Sequence, residues 1–306
     1  MHTKEFLTTL GLLPICGSFS FLKKATDNLT TISETQIRFL FFFCILLLIA
    51  IWEFASPRRK PAVSKATRWF NNMGIIFIDT LLVKFLFPVT AIGIAAAAHK
   101  NGWGLFNYFQ LPLGLSVALS VLVLDLIIYL QHLMFHAVPV FWRLHMVHHA
   151  DLDFDVSTGL RFHPIEIILS MLIKMAAVAF LGPPVHAILI FEIALNGTSM
   201  FNHGNINLPK SIDRYLRLLL VTPDMHRVHH SVIIRETNSN FGFNFPWWDR
   251  LFGTYRAQPV AGHIGMTIGL SQFRKEKQVT LARLLLLPFT GETGRYSIKY
   301  VGKEPK

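Results

Sequence analysis

The chain has 306 residues, of which 52% are hydrophobic and only 15% charged, against roughly 25% charged in ordinary soluble domains. That composition excludes an ordinary soluble domain, and the formal net charge of +11 then reads as attraction to an anionic membrane surface rather than to nucleic acid. Only two cysteines occur, Cys16 and Cys44, both in apolar stretches; they exclude a cysteine-rich metal site or a disulfide framework, leave room for one disulfide, and read first as two buried thiols.

In chain order, residues 1–22 lack the pattern of a cleaved signal peptide, because Lys4 is the only basic residue before an apolar run broken by Pro14 and Gly17. A membrane-spanning helix needs about 20 mostly apolar residues. "IRFLFFFCILLLIAIWEFA" at 37–55 is the first such span, 72–98 the second, long enough to tilt or kink at Pro88, and 113–135 the third. Residues 165–201 are too long for one span, and "LGPP" at 181–184 divides them into a hairpin. "YLRLLLV" at 215–221 is too short to cross and is expected in the membrane interface, with Arg214 and Arg217 facing lipid headgroups. The predicted fold is an all-α integral-membrane helical bundle with a cytoplasmic, histidine-rich di-metal cap. Its organisation is an N-terminal membrane region over 1–110, a catalytic domain over 111–258 and a C-terminal tail over 259–306.

Orientation follows from basic residues near the span ends. "PRRKPAVSKATR" at 57–68 carries five of them directly after the first span, which makes that loop cytoplasmic. Counting spans from there brings the histidines at 132–149, 203 and 226–230 to the same side and leaves His186 on the opposite one.

Fourteen histidines are present, most of them between 132 and 230. A lone histidine in an apolar helix is usually a satisfied core residue, but this pattern is not of that kind. His132 and His136 are four apart and share a helical face; His145, His148 and His149 form one H-x-x-H-H run, and His226, His229 and His230 form another. Neutral imidazole is a good ligand for iron, zinc, copper or nickel. Eight imidazoles in three clusters exceed the set that one zinc ion uses, so two metal ions sharing about four each is the economical reading, with His203 in "MFNHGN" a further candidate. His2, His99, His186 and His263 lie outside the pattern.

The three runs "HLMFH", "HMVHH" and "HRVHH", in this order with spans between them, resemble the fatty acid hydroxylase/sterol desaturase superfamily of integral-membrane di-iron oxygenases. "STGLRFHPIE" at 157–166 and "FGFNFPWWDRLFGTY" at 241–255 extend the resemblance over about residues 113–256, and the former is similar to the branch that includes alkylglycerol monooxygenase and bacterial sterol-desaturase-like proteins. The resemblance implies two non-haem iron ions that use O2 to hydroxylate or desaturate a lipid C–H bond. It implies as ligands His132, His136, His145, His148, His149, His226, His229 and His230, with His203 at a more variable position. Some relatives carry another histidine four residues before that one; here Ser199 stands there, and His163 is the candidate to compensate.

Several other residues are expected near the metals. Asp125 lies two helical turns before His132 on the same face and is the candidate catalytic acid or an interhelical hydrogen-bonding group. Asp151, Asp153, Asp155, Asp224, Asp249, Asn202, Asn205 and Asn240 are candidates to orient ligands, and Trp247 and Trp248 fit an aromatic belt at the bilayer surface or a cover over the site. No G-x-G-x-x-G, haem or iron–sulfur motif occurs, so electrons are expected from a separate cytochrome b5- or ferredoxin-like donor, with no nucleic acid partner. Basic segments at 57–68, 143 and 210–217 suit anionic lipid or such a donor. A histidine-rich metal transporter or metal-binding membrane protein is the alternative, but it would place polar groups along a transbilayer path. A zinc hydrolase would need a motif such as H-E-x-x-H, which does not occur.

Overall fold

The computed structural model describes residues 33–290, 292–294, 296 and 298; the readings made on residues 1–22, Cys16 and His2 lie outside them. Contacts divide the chain into Met1–Leu40 and Phe41–Lys306. Of the first unit the described part is residues 33–40, which open helix α1 (Glu34–Ala55). Among the described residues there is no β-strand, only two isolated bridges. Four helical stretches among the described residues are long and apolar enough to cross a membrane, at 34–55, 65–108, 113–137 and 164–181.

α1 buries only Ile49 and Glu53 and turns the rest of its apolar surface outward, as lipid solvation allows; Cys44 is a free, exposed thiol on it rather than a buried one. Helix α2 (Lys65–Leu86) starts seven residues before the expected second span, where the Ser64 hydroxyl caps it by accepting from Thr67 N at 3.3 Å. The early turns escaped a hydropathy reading because their buried face is polar, made of Arg68, Asn71 and Asn72. α2 and α3 (Ala91–Asn101) are separate helices rather than one kinked rod. Pro88 offers no N–H and disfavours a helical Phe87 before it, and Thr90 caps the restart.

α4 (Leu113–Ala137) is followed after Val138 by α5 (Pro139–His149), with proline at the first helical position. The hairpin comprises α6 (Pro164–Leu181) and α7 (Val185–Asn202). Gly182 makes the turn with φ 62°, and a Cβ there would lie 2.5 Å from Trp103 O, so only glycine fits. Shorter helices α8 (Lys210–Leu216), α9 (Pro223–His229) and α10 (Trp247–Leu251) follow, and α11 (Leu281–Thr290) closes the order.

α4 packs against α5 and α7, α6 against α2 and α3, and α11 against α5. One apolar core fills the space between α3, α4, α6 and α7 around Ala95, Leu124, Ile128, Val178 and Phe191. A second lies around α5 and α11 with Trp142, Met146, Leu284, Leu287 and Tyr296. The basic loop after α1 folds onto the histidine-bearing layer. Arg58 pairs with Asp224 at 3.0 Å, Arg59 donates to Met266 O at 2.8 Å, and Arg68 meets Asp151 at 2.6 Å and Asp155 at 2.7 Å. The loop and the histidine clusters therefore occupy the same end of the bundle.

Arg217, expected to face headgroups, is instead buried. It pairs with Asp213 and donates to Ala257 O at 3.1 Å, while Arg214, Ile212, Tyr215, Leu218 and Leu219 form the exposed side of this segment. A guanidinium whose fork reaches Asp213, Ala257 O and the Tyr255 hydroxyl is held inward even beside an apolar surface.

Candidate metal centre

Nine imidazoles converge in two adjacent groups. His132, His136, His145, His149 and His229 form the first, and His148, His203, His226 and His230 the second; within each group the potential ligand atoms lie within 4.8 Å of one another. Ligands 2.0–2.1 Å from a shared ion lie roughly 3–4 Å apart, so both spacings suit one ion per group. The two H-x-x-H-H runs are each divided. In α5 the i, i+4 pair His145 and His149 faces the first group and His148 the second; in and after α9 the i, i+4 pair His226 and His230 faces the second and His229 the first. The groups abut, with the His149 and His230 rings 4.7 Å apart.

Six of the nine rings are oriented from behind through Nδ1. That atom donates to Phe241 O in His132 (2.8 Å), to Asn238 Oδ1 in His136 (3.1 Å), to Glu166 Oε1 in His145 (2.7 Å), to Arg161 O in His148 (3.1 Å), to Ser199 O in His203 (2.7 Å) and to Ser239 O in His229 (2.7 Å). These partners are acceptors, so the proton sits on Nδ1 and Nε2 carries the lone pair. The consequence is visible where Nε2 atoms of these rings meet: His132 to His145 and His148 to His203 are each 3.1 Å apart. Two lone pairs at that distance repel unless a cation lies between them. The Nε2 atoms of His136, His149, His229 and His230 are buried with no hydrogen-bond partner, which costs about 1–3 kcal/mol each if nothing binds them. The donor set therefore fits two metal ions.

Burial, ahead of the neighbouring imidazoles, holds His148, His149, His226, His229 and His230 well below the ordinary imidazole value. It pushes His145 down to about 3 and His203 down to about 4. The rings outside the spans are thus neutral and ready to ligate at pH 7.

The loop after α5 is anchored by an ion network beneath the site. Burial alone would raise the Asp151 carboxyl, but Arg68 and then Arg161 hold it well below the usual carboxylate range. Asp151 also accepts from Thr158 Oγ1 at 2.9 Å, and Asp155 from Ser157 N at 2.9 Å. None of Asp151, Asp153 and Asp155 bonds a histidine in the described structure; Asp153 accepts from Ala62 N at 2.5 Å. This network sets the turn at 157–160, where Gly159 comes so close to α7 that a Cβ would lie 2.6 Å from Ser199 O and 3.1 Å from His203 Nδ1.

Two expected site residues stand apart. His163 is in neither group. It caps α6, with Nδ1 accepting from Ile165 N at 3.2 Å and Nε2 donating to Leu285 O at 3.2 Å, so both ring nitrogens are engaged. Asp125 reaches no histidine. It accepts from Asn244 N (3.2 Å), Phe245 N (3.3 Å) and Trp248 Nε1 (2.8 Å), the interhelical role, holding the loop whose Phe241 O orients His132. Asp249 supports the same loop through Phe241 N and Gly242 N at 2.7 and 2.9 Å. Asp224 pairs with Arg58 and Arg227; Asn205 holds Arg59, and Asn240, at φ 55°, holds Met225 O and Arg256 O. Asn202 donates to Phe243 O at 3.1 Å. Trp247 is 38% exposed and stacks on Phe245, suiting a bilayer-surface position, whereas Trp248 is turned in to Asp125. His186 opens α7, about 25 Å along the helix from His203 at 1.5 Å per residue.

Glu166 and Asn238 were not singled out by sequence. The signal for Glu166 was present, since it closes "STGLRFHPIE" and heads a helix, where a carboxylate is favoured. Asn238 lies in an irregular stretch with no spacing to mark it.

Residues 117–254 match a family model described as fatty acid hydroxylase. The chain is 27% identical over 281 residues to the ornithine lipid hydroxylase OlsE of Rhizobium tropici, covering 87% of this chain and 78% of that protein. It is 29% identical over 154 residues to the alkylglycerol monooxygenase of Homo sapiens, covering 49% and 32%, and 28% identical over 232 residues to the cholesterol 25-hydroxylase of Rattus norvegicus, covering 74% of each. Of four alkylglycerol monooxygenases that match, the chain spans between 26% and 50% of the length. No solved structure matches.

Proposed function

We propose that this chain, a member of the fatty acid hydroxylase family through residues 117–254, is a membrane-embedded oxidoreductase that hydroxylates a C–H bond of a lipid. The observation that carries the proposal is the division of both H-x-x-H-H runs between two adjacent groups of five and four buried imidazoles. Lipid hydroxylases and monooxygenases among the relatives support lipid as the substrate and favour hydroxylation over desaturation.

His132, His136, His145, His149 and His229 would hold one iron ion, and His148, His203, His226 and His230 the other. Iron held there would supply the O2-activating chemistry that oxidation of an unactivated C–H bond requires. The chain's own groups do the rest. The Nδ1 acceptors fix each ring so that its lone pair faces inward, and Glu166 holds the proton on His145 Nδ1. Aromatic rings wall the centre and keep water out: Phe162 stacks on His148 at 4.5 Å, Phe154 on His203 at 5.4 Å, and Phe241 meets His136 at 5.0 Å.

The lipid tail reaches the centre laterally between the spans. Electrons come from a separate cytochrome b5- or ferredoxin-like protein, because the sequence holds no motif for a redox cofactor of its own. The five basic residues of 57–68 support a cytoplasmic position for this end of the bundle. Metal analysis of the purified protein tests the reading. About two irons per chain with O2-dependent lipid oxidation supports it; zinc alone, or ion flux without lipid oxidation, overturns it.

A further inference from the structure

The stretch after residue 258, outside the family match, reaches the metal centre. α11 packs along α5, the helix that carries His145, His148 and His149. Beyond it Tyr296 is 1% exposed and stacks on Trp142 with centroids 5.8 Å apart. Trp142 in turn lies 4.9 Å from the His136 ring and 5.4 Å from that of His149, and its Nε1 donates to Thr293 O at 3.0 Å. The Tyr296 hydroxyl accepts from Ser271 N at 2.9 Å and donates to Ser271 Oγ at 3.0 Å. Its carbonyl accepts from Asn238 Nδ2 at 3.0 Å, and Asn238 Oδ1 accepts from His136 Nδ1 at 3.1 Å.

We propose that this C-terminal strap sets the tautomer of His136, with Asn238 as the positioning residue between them; the proposal rests on His136 being a metal ligand. A carboxamide can turn by half a revolution and exchange its oxygen for its NH2. Tyr296 O forbids that turn, because only the NH2 end can donate to a carbonyl. With the oxygen facing His136, the imidazole proton is held on Nδ1 and the lone pair on Nε2 faces the first group, where Nε2 is buried and has no hydrogen-bond partner. Without the strap the NH2 end can face Nδ1, the proton moves to Nε2, and one of five ligands is lost. Ile298 N, donating to His136 O at 3.4 Å, ties the strap to the same residue a second time.

Cobalt(II) titration of the full-length protein in detergent, followed by visible absorption, tests this. Wild type is expected to bind two ions. Asn238→Leu, which offers no acceptor, is expected to bind one of them about 10–100-fold more weakly, the range for loss of a ligand's orienting partner. Asn238→Asp presents an acceptor whichever way it turns and is expected to keep both sites. Tyr296→Ala is expected to weaken the same site as Asn238→Leu, and the double variant Tyr296→Ala/Asn238→Asp to recover it; this pair decides the question if Asn238→Leu does not fold. Wild-type affinity in Asn238→Leu, or a double variant as weak as Tyr296→Ala, overturns the strap. A wild-type protein that binds no cobalt overturns the metal centre itself.

Discussion

Replacing Glu166 by leucine tests whether the centre depends on groups behind its ligands. Glu166 Oε1 lies 2.7 Å from His145 Nδ1, and both side chains are buried. The leucine leaves a buried N–H without an acceptor, a loss of about 1–3 kcal/mol. Independently, removal of a ligand histidine's carboxylate partner weakens metal affinity about 10–100-fold, which at 1.4 kcal/mol per tenfold is about 1.4–2.8 kcal/mol. The two routes agree, so Glu166→Leu is expected to weaken one of two metal sites by that factor and leave the other near wild type. Glu166→Gln keeps an acceptor at Oε1 and is expected to lose less than about tenfold. Competition of iron(II) against a chelator of known affinity, in detergent, reads both variants. Equal affinity of Glu166→Leu and wild type would mean that His145 is either no ligand or one that needs no orientation.

His145→Ala, His148→Ala and His229→Ala are each expected to lose iron and lipid oxidation together, while His186→Ala, at the far tip of the hairpin, keeps both; equal damage from His186→Ala by metal analysis would mean the topology is wrong. Arg68→Met strands the buried carboxylates of Asp151 and Asp155 and is expected to destabilise the metal-free protein by about 3–5 kcal/mol, seen as a lowered unfolding temperature; an unchanged temperature would remove the ion network from the account. In the metal-free protein His145 and His203 titrate at about 3 and about 4, below the ordinary value of roughly 6.5. Unfolding therefore takes up protons below pH 6.5, so stability is full above that value and falls as the pH drops towards 4. His203→Gln is expected to flatten part of that slope, and an identical slope in variant and wild type would contradict it.

Much of this arrangement was legible in the sequence because it rests on short-range periodicity. Spacings of three and four residues on helices bring imidazoles onto one side, and basic residues beside a long apolar run order the spans. The family resemblance named nine of the imidazoles that meet. What spacing does not reveal is how a run is shared, for His148 turns from His145 and His149 by the ordinary rotation of a helix and so joins a different group. His163 stays outside both groups because a histidine before Pro164 is well placed to cap a helix, and capping occupies its nitrogens. Asp125 shares a helical face with His132, yet the loop at 244–248 intervenes, a contact made across more than a hundred residues. The start of α2 was hidden by its polar inner face, and Asn238 and Tyr296 by lying in irregular chain, where only tertiary contact gives a residue its role.

The most direct test of lipid hydroxylation at this centre is lipid mass spectrometry of cells supplied with isotopically heavy O2, comparing wild-type protein with His148→Ala. The expected result is a lipid that gains one oxygen atom, heavy when the O2 is heavy, in the wild type and not in the variant. A lipidome identical between the two, or a wild-type product that has lost two hydrogens without gaining oxygen, would contradict it.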